Sequence, residues 1–207
     1  NGVDLWRYGP RDPDPALAAE WALDSMFVVG YVGTHGMAHG LVNIVDAAER
    51  LLGEAGLRFL LAGDGAERPQ LIADAEQRGL NNVVFMPPQP KERMPAVWSL
   101  CAVALVHLKG SPVFAGVIPS KIFEAMGMGL PVLLVAPEGD ASRIVEGAGA
   151  GLCVPPEDPE ALAEAVRRLM FDAHLRKGLA KASLAAAQSH SRERQARLTI
   201  DALQLAA

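Results

Sequence analysis

The sequence predicts an α/β fold, a doubly wound parallel sheet with a helical C-terminal extension. Short, uniformly apolar segments alternate with helical patterns along the chain. Strands that are apolar throughout are typical of a parallel sheet covered by helices on both faces. The glycines and most of the unusual polar residues follow the strands, where right-handed crossovers place the ligand sites of such sheets.

Each element has its own signal. Apolar runs rich in Val, Leu and Phe predict strands at 27–33, 57–63, 82–86, 101–108, 131–135 and 151–154. Apolar residues at helical spacing predict helices at 41–52, 69–78, 92–98, 174–188 and 192–205. Asp158-Pro159-Glu160 is a strong signal for another helix start, with a capping Asp, a Pro at the first position and then an acid.

Length and composition indicate one domain with short appendages. The chain has 207 residues and half of them are apolar, which is enough for a sizeable core. We expect residues 1–22 to be a connecting segment, 23–190 a Rossmann-like domain and 191–207 a C-terminal helix. Because the chain opens on Asn1 rather than Met, we also expect it to be part of a longer protein.

Several classes of partner and site are not expected. The formal net charge is -5 and no basic run is interleaved with aromatic residues, so we expect no nucleic-acid partner. Cys101 and Cys153 both fall in apolar runs, which predicts small core residues and a cytoplasmic protein. No apolar stretch reaches the ~18 residues that a membrane-spanning helix needs.

The segment 117–132 is the most informative part of the chain. Pro119 suits a first helical turn, and free amides together with the helix dipole favour an anion there. Ser120 can donate a further hydrogen bond, and Lys121 supplies a point charge suited to phosphate. Glu124 lies one turn on, on the same face, and would repel phosphate but accept from a hydroxyl pair such as a ribose. The segment predicts a nucleoside diphosphate site, with an ordinary amphipathic helix as the alternative.

The loop after the first strand contains Gly33, Gly36 and Gly40, which let the backbone approach a ligand closely. It is not a G-x-G-x-x-G loop, so a nicotinamide cofactor is not expected. His35 and His39 are four residues apart, but no third ligand is nearby and we expect no metal. A plain strand-to-helix turn is the alternative for this loop.

The remaining loops are less specific. Gly63-Asp64-Gly65 ends the second strand, and 87–90 is a proline-rich stretch that could line a flat base or be a stiff turn. Lys109 begins a longer loop that leads into the Ser120 helix and could fold over phosphates or be a mobile surface loop. His107 lies in an apolar strand and is expected to be a core histidine.

In order along the chain, four segments resemble the C-terminal, nucleotide-sugar-binding domain of GT-B fold glycosyltransferases, specifically the large retaining family 4. These segments are 1–4, the Leu61-Ala62-Gly63-Asp64-Gly65 turn, the 82–85 strand, and the Pro119-Ser120-Lys121-Ile122-Phe123-Glu124-Ala125-Met126 helix with its exit at 129–132. The version with Ser, Lys and Ile resembles the subgroup that makes bacterial surface polysaccharides, often from UDP-linked amino sugars.

The resemblance implies a role for each site. Glu124 would hold the ribose hydroxyls, and Lys121 with Ser120 and the amides around Pro119 would bind the diphosphate. Residues implied in binding the nucleotide sugar are Gly33, Thr34, Gly36, His39, Gly63, Gly65, Pro88, Lys109, Pro119, Ser120, Lys121 and Glu124. Of these, Lys121 and Glu124 would take part in catalysis, with no cofactor and no metal.

Two positions depart from the family pattern. Many members have a pair of acids eight positions apart, but Gly116 stands where the first acid would be. Many also have Arg and Lys in the first loop, where this chain has Thr34 and His39. We expect Lys121, Lys109 or a partly charged His39 to replace those cations.

The resemblance also implies a missing N-terminal domain, which would bind a glycan or lipid-linked acceptor and allow peripheral membrane association of the full-length protein. The helix at 191–207 would pack toward that domain, and this chain alone would transfer sugar poorly. The alternatives are an enzyme similar to UDP-sugar 2-epimerases, a non-catalytic nucleotide-binding domain, and a nicotinamide-dependent dehydrogenase domain, whose fingerprint is missing.

Overall fold

The computed structural model describes residues 2–205, and within this range six parallel strands form one sheet in the order β3-β2-β1-β4-β5-β6. The residues of these strands are mainly apolar because helices cover both faces of the sheet. The strands are β1 (Phe27–Val32), β2 (Leu57–Ala62), β3 (Val83–Met86), β4 (Val103–His107), β5 (Val132–Val135) and β6 (Gly151–Val154). The predicted fold class is confirmed.

Helices connect the strands and extend the chain beyond the last one. They are α1 (Pro15–Glu20), α2 (Val42–Arg50), α3 (Arg68–Gln77), α4 (Met94–Ser99), α5 (Lys121–Gly127), α6 (Asp140–Gly147), α7 (Pro159–Phe171), α8 (Ala173–Ser189) and α9 (Arg192–Leu205). A short 3₁₀ turn precedes α4, and another lies in the loop between β4 and α5. Asp158 caps α7 as predicted, since its carboxylate accepts from the Ala161 N–H at 2.9 Å.

Side chains alternate between two cores, one on each face of the sheet. Along β1, Val28 and Val32 enter the core formed with α4, α5, α6 and α8. Val29 and Tyr31 enter the opposite core, formed with α2, α3 and α7. This period-two alternation explains why the strands are apolar apart from Arg58 in β2 and His107 in β4, because helices cover both faces of the sheet.

The strand order positions the site. The order reverses between β1 and β4, which are hydrogen-bonded neighbours although β2 and β3 separate them in sequence. At such a switch point the loops leaving the two strands diverge and open a crevice at their carboxyl ends. The loop after β1 and the loop between β4 and α5 therefore face one another.

The N-terminal segment differs from a simple connection. Residues 15–20, predicted without structure, form α1, with Asp14 as its cap and Pro15 at its first position. Leu17 is 1% exposed, and Val3 and Tyr8 are also buried in the core beneath α5. Val3 additionally bridges Ser191, so this segment and the C-terminal region are joined. The division into a 1–22 segment and a following domain stays a prediction, and Asn1 lies outside the described residues.

Sequence reasoning did not predict helix α6. Helix α6 has only eight residues, too few for a clear helical period, and the Ser142 hydroxyl closes its first turn by accepting from the Gly139 N–H.

Helix α9 leaves Leu198, Ile200 and Leu203 exposed. Packing of this helix against another domain stays a prediction, and residues 206 and 207 lie outside the described part. No helix within residues 2–205 is long and apolar enough to cross a membrane.

Candidate functional site

A cavity of about 500 Å³ opens at the switch point of the sheet. It lies between the loop after β1, the segment before α4 and the start of α5. Its lining consists of Tyr8, Val32, Gly33, Thr34, His39, Gln89, Lys91, Met94, Pro119, Ser120, Lys121 and Glu124. The cavity therefore joins the first loop to residues 120–124.

Lys121 places an unpaired cation in this cavity. Its Nζ atom is buried, and among residues 2–205 it has no hydrogen-bond partner. The ammonium lies 3.8 Å from the centroid of the Tyr31 ring, within the range of a cation–π contact. Burial lowers the pKa of Lys121 to about 7, while the charge of Glu124 acts in the opposite direction. A buried ammonium without a partner is costly, so an anion entering the cavity would gain a strong interaction.

Gly33 allows the loop after β1 to pass close to this ammonium. Its φ of 145° is a conformation that L side chains rarely adopt, and a Cβ atom there would lie 2.7 Å from Lys121 Nζ. Beside it, the Tyr31 hydroxyl donates to the Thr34 carbonyl at 2.7 Å. Tyr31 thus supports both the loop backbone and the lysine.

The start of α5 differs from the expected arrangement. Pro119 lies before the helix rather than in its first turn, since α5 begins at Lys121 with Ser120 as its cap residue. The Ile122 N–H donates to the Pro119 carbonyl and the Phe123 N–H to the Ser120 carbonyl. These two amides are already bonded, because the chain enters the helix through tight i→i+3 turns. These two amides are therefore not free for an anion, whereas the side chains of Lys121 and Ser120 line the cavity and remain candidates.

The Glu124 carboxylate accepts a hydrogen bond from a buried tryptophan. The Trp98 indole N–H donates to Glu124 Oε2 at 3.2 Å, and Trp98 is 0% exposed. Tyr8 lines the cavity near the same carboxylate, and burial together with the charge of Glu124 raises the pKa of Tyr8 to about 12. The cavity therefore presents a cation at one part of its wall and an oriented carboxylate at another.

Not all residues implied by the resemblance line this cavity. Gly63 and Gly65 lie behind the loop: their Cβ atoms would meet the Gly33 carbonyl at 1.9 Å and the His35 carbonyl at 2.4 Å. Their function here is to let two loops pack closely. Gly36 is partly exposed outside the lining, and Pro88 is exposed while its neighbour Gln89 contacts the cavity.

Lys109 lines a second cavity, of about 320 Å³. The other residues of this cavity include Asp46, Glu67 and Glu157, and it lies over α2 on the far side of the first loop. The structure thus separates Lys109 from Lys121, although both belong to the connection between β4 and α5. A role for Lys109 in donor binding stays a prediction.

The histidines around the first loop favour the neutral form. His107 accepts from the Asn43 amide at 2.9 Å and donates to the His39 carbonyl, and burial lowers its pKa to about 4. It is a core histidine, as predicted. Burial also lowers the pKa of His35 to about 4, and it lowers the pKa of His39 as well. A charged His39 is therefore disfavoured as the substitute for the missing loop cation.

Sequence reasoning missed several residues of the site. Tyr8 lies in the N-terminal segment, and Lys91 and Met94 lie just beyond the proline-rich loop. None of them belongs to a motif, and only tertiary packing brings them to the cavity. Across residues 2–205 there is no group of three or more His, Cys, Asp or Glu residues that could hold a metal ion.

The doubly wound sheet and the polar cavity at its switch point define a Rossmann-like α/β domain. Residues 26–172 match the family described as Glycosyl transferases group 1. The chain belongs to this family.

Curated relatives agree with that assignment. The glycosyl transferase WcaI of Escherichia coli (strain K12), named for colanic acid biosynthesis, is 32% identical over 150 residues, which are 72% of this chain and 36% of WcaI. A D-inositol 3-phosphate glycosyltransferase of Nocardia farcinica is 32% identical over 181 residues, 83% of this chain and 39% of that protein. The chain thus spans between a third and a half of the length of these relatives.

Solved structures show the same fold. The Anabaena protein HepE, crystallised in complex with UDP, superposes with a TM-score of 0.84 at 21% identity, covering 99% of this chain and 56% of HepE. Sucrose-phosphate synthase from Thermosynechococcus elongatus gives a TM-score of 0.79 at 24% identity, covering 100% of this chain and 52% of the synthase. At this level of identity the likeness concerns the fold alone.

Proposed function

We propose that this chain is the donor-binding C-terminal half of a retaining glycosyltransferase. The full-length enzyme would transfer a sugar from a nucleoside diphosphate sugar, UDP-linked, to a glycan or lipid-linked acceptor in bacterial surface-polysaccharide synthesis. The observation that carries this proposal is the buried, unpaired ammonium of Lys121 in the same cavity as the Glu124 carboxylate, within the part of the chain that the structure describes. A ligand with both phosphates and vicinal hydroxyls would satisfy both groups.

The two charged residues would bind different parts of the donor. Lys121 and Ser120 would contact the diphosphate, while Glu124 would accept hydrogen bonds from the ribose hydroxyls. Gln89 and Met94 line the same cavity and would border the base. UDP as the nucleotide is supported by HepE, which was crystallised with UDP and with UDP-glucose.

Lys121 would also contribute to the reaction. When the bond between the anomeric carbon and the diphosphate oxygen breaks, the departing diphosphate gains negative charge. A buried ammonium that is already fixed in place stabilises that charge with little reorganisation. The acceptor would bind to an N-terminal domain, and the full-length protein would act in the cytoplasm, with peripheral attachment to the membrane.

Calorimetric titration of the 207-residue chain with UDP, GDP, ADP and NAD tests this proposal. We expect saturable binding with the highest affinity for UDP. A higher affinity for NAD than for UDP would contradict the proposal. Binding of UDP by this chain, with no sugar transfer by a chain extended to full length, would instead favour a non-catalytic nucleotide-binding domain.

A further inference from the structure

The Glu124 carboxylate has a partner that the cavity itself does not contain. Trp98 Nε1 lies 3.2 Å from Glu124 Oε2, and 26 residues separate the two in sequence. Glu124 lines the cavity, whereas Trp98 does not and is 0% exposed. Trp98 can therefore act on a ligand only indirectly, and its hydrogen bond to Glu124 links it directly to a residue of the cavity wall.

The tryptophan is rigidly held. Trp98 lies in α4, whose neighbouring residues Val97 and Ser99 are buried as well. The Ser99 hydroxyl accepts from the Asp14 N–H at 3.1 Å and donates to the Ala96 carbonyl at 2.7 Å, which ties α4 to the N-terminal segment. The indole N–H consequently has a fixed direction.

A fixed donor matters because a glutamate side chain is flexible. A free carboxylate samples several rotamers, and a ligand that needs one of them must order the side chain on binding. A hydrogen bond from a buried N–H to one oxygen orders it in advance and leaves lone pairs available on the carboxylate. Tyr8, packed near the same group on the cavity wall, limits its movement further.

We propose that Trp98 is a positioning residue for donor recognition, whose indole N–H holds the Glu124 carboxylate in the orientation that accepts the ribose hydroxyls. This inference rests on the proposed function, because it takes Glu124 to be the ribose-binding group. It adds a residue outside the cavity to the determinants of ribose recognition.

The chain contains a matched control. Trp21 packs partly buried against the same core, and its Nε1 has no hydrogen-bond partner within residues 2–205. Trp21→Phe and Trp98→Phe remove the same atoms from the side chain. They differ in that only the second removes an N–H that holds a carboxylate.

The experiment measures the affinity of the chain for UDP and for 2′,3′-dideoxy-UDP, which lacks both ribose hydroxyls. We expect the wild-type chain to prefer UDP, and Trp98→Phe to weaken UDP binding about tenfold, since a hydrogen bond to a charged group is lost. Affinity for the dideoxy nucleotide should change less than about twofold. Trp21→Phe should bind both nucleotides like the wild type.

A double-mutant cycle separates positioning from general damage. In a Glu124→Ala chain, Trp98→Phe should have no further effect on UDP binding, because the group it positions is gone. Equal losses for both nucleotides, losses that add in the double mutant, or an unchanged preference for UDP in Trp98→Phe would each overturn the inference.

Two further outcomes are distinct. A wild-type chain that binds no UDP, or binds both nucleotides equally, would refute the ribose role of Glu124 in the proposed function, and the role of Trp98 with it.

Should Trp98→Phe not fold, Trp6→Phe and Trp21→Phe leave Trp98 as the remaining tryptophan of the three. Replacing it with the benzothiophene analogue then removes the N–H at nearly constant volume, and the same nucleotide comparison decides.

Discussion

Lys121 Nζ lies 3.8 Å from the centroid of the Tyr31 ring and close beneath the backbone of Gly33. Tyr31 is on β1 and Lys121 begins α5, so the contact joins the two sides of the switch point. The ring partly compensates the charge of an ammonium that has no hydrogen-bond acceptor in the described part of the chain. The lysine is therefore held in place before any ligand binds.

Removing this charge should affect phosphate recognition selectively. We expect Lys121→Met to weaken UDP binding by about 1.5–3 kcal/mol, the usual effect of losing a charged hydrogen bond, and to leave the affinity for uridine nearly unchanged. Titration calorimetry with both ligands measures the difference. Lys177→Met, at an exposed position on α8, is the control. Equal losses for UDP and uridine would contradict a phosphate role for Lys121.

The buried lysine should also make stability depend on pH. Its pKa is about 7 in the folded chain and 10.5 ordinarily, so above pH 7 the unfolded state binds more protons at this site. The free energy of unfolding should therefore rise from about pH 7 to about pH 8.5, and Lys121→Met should reduce that slope. The lowered pKa values of His35 and His107 act below pH 6.5, outside this range. Urea denaturation at several pH values measures the slope, and a slope equal in both proteins would refute the assignment.

A side chain at residue 33 should destabilise the domain and weaken nucleotide binding. In Gly33→Ala the methyl group would lie 2.7 Å from Lys121 Nζ at a φ of 145°, so the loop or the lysine must move. We expect a loss of about 1–3 kcal/mol in the free energy of unfolding, together with weaker UDP binding. Gly36→Ala in the same loop is the control, because its Cβ would find only the Thr34 methyl, at 3.5 Å. Similar behaviour of the two variants in denaturation and UDP titration would show that the loop adapts freely.

Gly116 offers a way to test the missing first acid. It is exposed, and apart from Gly116 and its two chain neighbours no described residue has an atom within 4 Å of the position of its Cβ. Gly116→Glu should therefore change the free energy of unfolding by less than about 0.5 kcal/mol. If the resemblance holds, the new carboxylate should alter the affinity for a UDP-sugar and leave that for UDP unchanged. Competition titrations with UDP and UDP-glucose measure this. A change confined to UDP would place residue 116 away from the sugar.

The N-terminal segment should contribute to the stability of the domain. Leu17 is buried against the core, so Leu17→Ala should lower the free energy of unfolding by about 2–5 kcal/mol. Val113→Ala, at a side chain that is 79% exposed, should have almost no effect. Thermal denaturation of both variants checks the expectation. A neutral Leu17→Ala would show that residues 1–22 connect domains without supporting this one.

The sequence determined the fold class and the position of the key helix. Uniformly apolar strands can be buried only between two helical layers, and the alternation of strands with helices then requires a parallel sheet. The Pro119-Ser120-Lys121 segment and Glu124 were identifiable because their chemistry lies close together in sequence, at and just before the start of α5. These features depend on local order along the chain.

Tertiary structure alone decided which other residues reach the cavity. Lys109 and Lys121 belong to one connection, yet the first loop separates them into two cavities. Tyr8 and Trp98 come to Glu124 from distant elements and belong to no motif. The direction of a side chain depends on how helices pack on the sheet, which no periodicity in the sequence specifies. The ionisation of Lys121 likewise follows from burial, which appears only when the chain is folded.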